Sequence, residues 1–256
     1  MDTRFSLALE AGHVALPESG DIVVFGAVGQ MLTGLPRERL KLVCDDVIAA
    51  ESYKAQGYDV MTEPPESGAL GVVFVPRGRI EGRVMFARAA ALSGGKLIVD
   101  GAKTDGIDSH FKELRKRGDC TAAYSKAHGK VFACDVAVEA LADWAEQGEG
   151  GENEAGFFTF PGVFSAAKVD EGSQLLAAAL PESLGKHVAD LGAGWGYLSR
   201  AVIIMCSMSR RITALPSLEI QRAPQVGSSR ARRVSAQNNV PKRTVYLLKM
   251  VTTSVS

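Results

Sequence analysis

The sequence is most informative at first through what it does not contain. No stretch approaches the roughly 18 consecutive apolar residues that a membrane-crossing helix needs, so no such helix is expected in the 256 residues. The N-terminus carries Asp2 and Glu10 and no basic-then-apolar signal pattern, which makes a cytoplasmic protein the expectation. Cysteine is sparse: Cys44, Cys120, Cys134 and Cys206 form no C-x-x-C pair. They read as reduced thiols in the core or on the surface, not as a disulfide framework or metal ligands. The four histidines show neither H-x-E nor H-E-x-x-H spacing, so zinc chemistry has no support.

Net charge is also absent, but the zero hides a division. Residues 1–203 hold 20 Lys and Arg against 28 Asp and Glu, and residues 204–256 hold nine against the single acid Glu219. So sharp a break implies two segments under different constraints. The apolar fraction of 46% and charged fraction of 23% are those of a globular chain.

Short, continuous apolar runs predict strands buried on both faces at Asp21–Gly26, Leu40–Cys44, Ala69–Val75 and Lys96–Asp100. Helices are predicted over Arg79–Ser93, ended by Gly94-Gly95, over Ile107–Arg117, and over Val136–Glu146. Cys120–Tyr124 and Lys130–Ala137 read as closing strands. This alternation predicts a doubly wound, Rossmann-like α/β domain over residues 1–146. Gln147-Gly-Glu-Gly-Gly-Glu-Asn-Glu-Ala-Gly156 reads as a solvated linker over 147–156. A second domain then begins over 157–203, and residues 204–256 form a basic tail of atypical composition.

The second domain holds the stretch with chemical content. His187-Val-Ala-Asp-Leu191 reads as a strand, Gly192-Ala-Gly194-Trp-Gly196 as a turn, and the residues after it as a helix start. Missing Cβ atoms let a ligand approach the backbone, and the free N–H groups of a helix N-terminus face it. A dinucleotide fingerprint, G-x-G-x-x-G/A, requires a small residue where Tyr197 stands, so that pattern fails. What stands is D-x-G-x-G-x-G, with Asp190 at the strand end.

This motif resembles the first motif of the class I S-adenosylmethionine-dependent methyltransferases. A second stretch narrows the resemblance. The pattern P-G-V-F-S-x-x-x-x-D-x-G-S-Q-L-L is matched from Pro161 to Leu176, with Asp170, Gly172 and Ser173 in place. Together these stretches resemble the RsmC-type small-subunit rRNA guanine-N2 methyltransferases. The resemblance implies a second Rossmann-like fold, of which 157–203 is the first part, and S-adenosylmethionine held by Asp190, Gly192, Gly194 and Gly196. It also implies that the segment bearing Asp170 and Ser173 lies over the cofactor. Of the aromatics Phe157, Phe158, Phe160 and Phe164, most read as packed side chains, with Phe164 the candidate to face a cofactor. It makes the N-terminal domain a degenerate copy without a cofactor, assisting RNA binding, and small-subunit rRNA the partner.

The basic residues Lys112, Arg115, Lys116 and Arg117 read more readily as a solvated helix face than as RNA contacts, because this half is acidic overall. His128 reads as a structural loop histidine. Beyond Val202 the resemblance fades. The family's amine-acceptor motif, N-P-P-[FYW], does not occur, and Asn238-Asn-Val-Pro241 is no match. Glu219 is the candidate for the acid that binds the ribose. A frame change in the coding sequence and a native basic RNA-binding tail both account for the tail's composition. The tail is expected to be loosely packed, leaving half of the cradle strand's sheet open. Two functions follow: an S-adenosylmethionine-dependent RNA methyltransferase, or a truncated relative with a partial cofactor site and no methyl transfer.

Overall fold

The computed structural model describes residues 3–160, 162–182, 184 and 187–205, with two further strands at 211–215 and 247–249. The chain divides into two compact units, Met1–Gly150 and Gly151–Ser256.

The first unit runs α1 (Arg4–Glu10), β1 (Ile22–Phe25), β2 (Leu40–Val43), α2 (Val47–Ala55), β3 (Asp59–Met61), β4 (Leu70–Phe74), α3 (Arg79–Ser93), β5 (Lys96–Ala102), α4 (Ile107–Leu114), β6 (Asp119–Cys120), β7 (Tyr124–Lys126), β8 (Gly129–Asp135) and α5 (Ala142–Glu146). The strands form one sheet in the order β3-β2-β1-β4-β5-β8-β6, with β7 also on β8. β1 to β5 are parallel, and β8 runs antiparallel to β5.

Alternation along the strands builds two cores. Ile22 and Val24 of β1 pack on one face with Phe5 and Ala8 of α1 and with Ala49 and Tyr53 of α2. Val23 and Phe25 pack on the other with Phe86 of α3, Ile107 and Leu114 of α4, and Trp144 of α5. Both faces are covered, which is why these strands read as unbroken apolar runs. The expected doubly wound fold is therefore present.

Several local expectations need correction. Helix α4 stops at Leu114, because Arg117 N–H and Gly118 N–H turn back onto the Leu114 carbonyl. Gly118 then passes so close to β8 that a Cβ would lie 2.4 Å from the Asp135 carbonyl oxygen. The helix expected over 136–146 is a 3-10 turn, Val138–Leu141, followed by the short α5. The cysteines depart in one respect from the expectation of reduced thiols. β6 pairs antiparallel with β8 so that Cys120 faces Cys134, with Cα atoms 4.1 Å apart and a disulfide between them. Cys44 is a buried thiol outside any disulfide, as expected, and Cys206 lies outside the described residues.

Helix α1 was not foreseen. It starts at a capping box in which Ser6 N–H donates to Thr3 Oγ1 while Thr3 N–H donates to Ser6 Oγ. Arg4 in its first turn reaches Asp100 at 2.7 Å through Nε, and the Ala127 carbonyl at 3.3 Å. Burial pushes the Asp100 carboxyl above its ordinary range, and Arg4 works against that rise.

The second unit contains β9 (Gly151–Glu152), β10 (Phe158–Thr159), α6 (Glu171–Ala178), β11 (His187–Leu191), α7 (Tyr197–Met205), β12 (Arg211–Leu215) and β13 (Leu247–Lys249). The stretch read as a linker is more ordered than its composition suggests. Gln147–Glu149 make a 3-10 turn, β9 pairs with β10, and the Asn153 side chain accepts from Ala155 and Phe157 N–H. β11 lies between β12 and β13, parallel to both, with Leu191 opposite Leu215 on one side and Lys249 on the other. The cradle strand thus has neighbours on both edges, and the expectation of a half-open sheet is not met. Elsewhere the tail lies outside the described residues. Leu184, Val188 and Val202 make a small core under β11 and α7.

Candidate cofactor site

β11 delivers the chain into a turn at Gly192–Gly196, and α7 starts at Tyr197. Gly192, Gly194 and Gly196 have φ of +73°, +56° and +94°, which disfavour residues with a Cβ. Among the described residues, a Cβ at Gly192 or Gly196 would meet nothing within 4 Å, so these glycines border space that the described residues leave open. Backbone strain and ligand access thus both call for glycine, and the turn ends at a helix N-terminus, where N–H groups lack intrahelical partners.

Asp190 is only 2% exposed. Its carboxylate accepts the Ser199 hydroxyl at 2.7 Å, which ties the end of the strand to the first turn of α7.

Trp195 carries the link to the upstream segment. Its indole N–H donates to the Phe164 carbonyl at 3.2 Å, and its ring lies 4.7 Å from Phe157 and 5.7 Å from Tyr197. Arg200 of α7 sits over Phe157 at 4.9 Å and donates to the Ala155 carbonyl at 3.1 Å. Phe164 itself is exposed. Within that loop Ser165 adopts φ +55°, and its hydroxyl donates to the Lys168 carbonyl. The segment from 155 to 165 is therefore fastened to the glycine turn. Neither Trp195 nor Arg200 stood out in the sequence, where each reads as an ordinary helix-start or surface residue.

Asp170 and Ser173 have a local task. Asp170 is the N-cap of α6: its carboxylate accepts Ser173 N–H at 3.0 Å and the Ser173 hydroxyl at 3.3 Å. α6 packs against α7, which starts at the turn. Pro161 and Glu219 lie outside the described residues.

Three of the remaining candidates of the first unit, Arg115, Arg117 and His128, have structural partners. Arg117 pairs with Asp143 and covers the Trp144 ring, and Arg115 covers Phe111. His128 sits in the turn from β7 to β8 at φ +53°, its carbonyl accepting Lys103 N–H. Among the described residues, no group of His, Cys, Asp and Glu could hold a metal ion.

Known proteins are similar to this chain. The family profile described as "Methyltransferase small domain" matches residues 154–240, which span the turn and continue past Val202. The ribosomal RNA small subunit methyltransferase C of Pseudomonas putida (strain W619) is 30% identical over 219 residues, covering 79% of this chain and 63% of that protein. The chain is thus similar to the RsmC-type methyltransferases over most of its length. Its counterpart from Hahella chejuensis is 33% identical over 109 residues, 38% of this chain and 31% of that protein. Among solved structures, the T. thermophilus 16S rRNA N2 G1207 methyltransferase (RsmC), in complex with AdoMet and guanosine, superposes with a TM-score of 0.59 at 23% identity. That superposition covers 82% of this chain and 63% of the other, and it establishes the shared Rossmann-like fold. The chain spans 63% of the length of the P. putida relative.

Proposed function

We propose that this chain is an S-adenosylmethionine-dependent RNA methyltransferase whose target is a guanine N2 of small-subunit rRNA. The observation that carries the reading is the turn at Gly192–Gly196: left-handed glycines, space that the described residues leave open at Gly192 and Gly196, and a helix N-terminus behind. The residues fit the cofactor. The backbone of Gly192, Gly194 and Gly196 would hold its methionine end, with Asp190 fixing the turn from beneath. Asp170 and Ser173 would set the α6 start that supports the upstream segment, and Trp195 would hold Phe164 near the site. Bound there, S-adenosylmethionine supplies an electrophilic methyl group for the guanine's exocyclic amine. The chain's own task is orientation, which can be worth up to about 7–11 kcal/mol of barrier. The target base must leave any stack to be reached. This reading places the chain in the cytoplasm with the ribosomal RNA. No helix among the described residues is long and apolar enough to cross a membrane.

A second reading, cofactor binding without methyl transfer, is favoured by a sequence that has no N-P-P tripeptide to accept from the amine. Titration calorimetry with S-adenosylmethionine, followed by tritium transfer to unmodified small-subunit rRNA, separates the two. Binding with transfer supports the enzyme, and binding alone supports the second reading. Asp190→Ala and Gly194→Val should each abolish binding. Unchanged affinity in both variants, or NADH binding in place of S-adenosylmethionine, would sink the cofactor assignment.

A further inference from the structure

Strand β6 ends the sheet of the first unit and is only two residues long. Asp119 and Cys120 pair with Asp135 and Cys134 of β8. Just beyond them, Thr121 N–H donates to the Ala133 carbonyl at 2.9 Å, and Ala133 N–H donates to Thr121 Oγ1 at 3.0 Å. The covalent tie is the Cys120–Cys134 disulfide. Because β6 is an edge, it can part from β8 while every pairing from β3 to β8 stays closed.

The fold around this bond does not need it. Disulfides typically hold small secreted domains that cannot build a sufficient core. The first unit, Met1–Gly150, has a packed core on each face of its sheet. In a reducing compartment, a disulfide is usually transient and serves catalysis or redox sensing. The two sulfurs also differ in access. Cys134 is 4% exposed and belongs to the core, whereas Cys120 is half-buried at its margin.

We infer that Cys120 and Cys134 are a reversible dithiol–disulfide switch, which fastens the β6 edge when oxidised and frees it when reduced. The inference rests on the cytoplasmic setting of the proposed function. A thiolate of the reductant, a glutathione-type thiol, attacks Cys120 Sγ, the accessible sulfur. The S–S bond breaks, and Cys134 leaves as a thiolate that takes up a proton. A second reductant thiol then displaces Cys120, so two reductant thiols become one disulfide as the protein disulfide becomes two thiols. Oxidation runs the same steps backwards, with a disulfide as oxidant. The change has a local consequence. Asp119 and Thr121, on either side of Cys120, line a cavity of about 380 Å³ together with Lys96, Ala133 and Asp135, and freeing β6 opens that wall.

The test is titration of the purified full chain in glutathione buffers, followed by alkylation with iodoacetamide and peptide mapping. Cys120 and Cys134 should be bonded in oxidised glutathione and both alkylated in about a hundredfold excess of the reduced form, which structural disulfides resist. A pair that stays bonded in that excess, or stays reduced in oxidised glutathione, overturns the proposal. Hydrogen exchange on the same samples reads the edge. Reduction should speed exchange at least tenfold in peptides covering 119–121 and leave β1 and β4 unchanged, and it should lower the first unit's melting transition by about 6–12 °C. Unchanged exchange at 119–121 would refute the fastening role. Cys134→Ser should leave Cys120 open to a mixed disulfide with glutathione, whereas Cys120→Ser should not expose Cys134; the reverse pattern would refute the order of attack. The native titration stands even if a variant fails to fold. No step uses S-adenosylmethionine or RNA, so failure of the methyltransferase reading would show in tritium transfer and not here.

Discussion

Replacing Ser199 by alanine isolates the contact that holds the glycine turn to its helix. In the native chain the Ser199 hydroxyl donates to the Asp190 carboxylate at 2.7 Å, and Asp190 is 2% exposed. Water has little access to replace the lost donor. A hydrogen bond to a charged group contributes about 1.5–3 kcal/mol, and a buried acceptor left short of a partner costs a similar amount. Ser199→Ala should therefore destabilise the second unit by about 1.5–3 kcal/mol. At about 4–8 °C per kcal/mol for a unit of this size, its melting transition should fall by roughly 6–24 °C. Ser199→Thr keeps the hydroxyl and should recover most of that loss. The assay is differential scanning calorimetry on the full chain, with the first unit's transition as internal reference. A Ser199→Ala transition within about 0.5 kcal/mol of wild type would refute the reasoning, since that is the scatter of a neutral surface substitution. It would mean that solvent reaches Asp190 once the hydroxyl is gone.

Three further outcomes follow from contacts elsewhere. Asp170→Ala should destabilise the second unit by about 1 kcal/mol through loss of the α6 cap, and Asp170→Asn should not, because asparagine caps equally well; calorimetric melts of the two variants decide it. Arg4→Met removes the partner of Asp100, whose side chain is 7% exposed, and should destabilise the first unit by about 3–5 kcal/mol in urea melts, with Arg4→Lys between the two. His110 is buried against the edge of Phe86, and among the described residues both its ring nitrogens lack hydrogen-bond partners. Burial lowers its pKa, Arg79 and Arg83 lower it further, and Glu113 opposes them. The folded unit thus keeps the imidazole neutral while the unfolded chain protonates near the ordinary value of about 6.5. The stability tied to this group is present above that pH and is lost as pH falls below it. Urea melts from pH 8 to pH 5 should show that decline, and His110→Phe should flatten it.

How much could be read in advance depended on how local the cause was. β1, β2, β4 and β5 were legible because burial on both faces leaves an unbroken apolar run, a signal each strand carries alone. The turn at Gly192–Gly196 was legible for the same reason: left-handed φ restricts residue choice at the positions themselves. α3 was legible down to its Gly94 cap, which has φ +61°. Helix α1 was not, since its seven residues are too few to show a period and its cap uses Ser6 where a glutamate or glutamine is the usual sign. The Cys120–Cys134 bond was missed because it depends on the register of β6 against β8. That register brings together residues 14 apart in sequence that follow no spacing rule. Arg4 and Asp100 stand 96 residues apart, and only the position of α1 on the sheet joins them.

The glycine turn shows where the two kinds of information meet. The sequence names the residues that permit the turn but not the residues that fasten it. Trp195 looks interchangeable with any other residue between two glycines. In the fold its indole N–H reaches the Phe164 carbonyl, 31 residues back. Asp170 and Ser173 were read as cofactor residues because they stand in a family pattern, and the structure gives them a cap to make first. A residue in such a pattern can therefore be placed there by the helix it starts rather than by the ligand nearby. Asp170→Asn separates these causes, because it keeps the cap and removes the charge. If that variant binds S-adenosylmethionine as the native chain does, the pattern at this position records the fold. If affinity falls while the melt is unchanged, the carboxylate's charge serves the ligand as well.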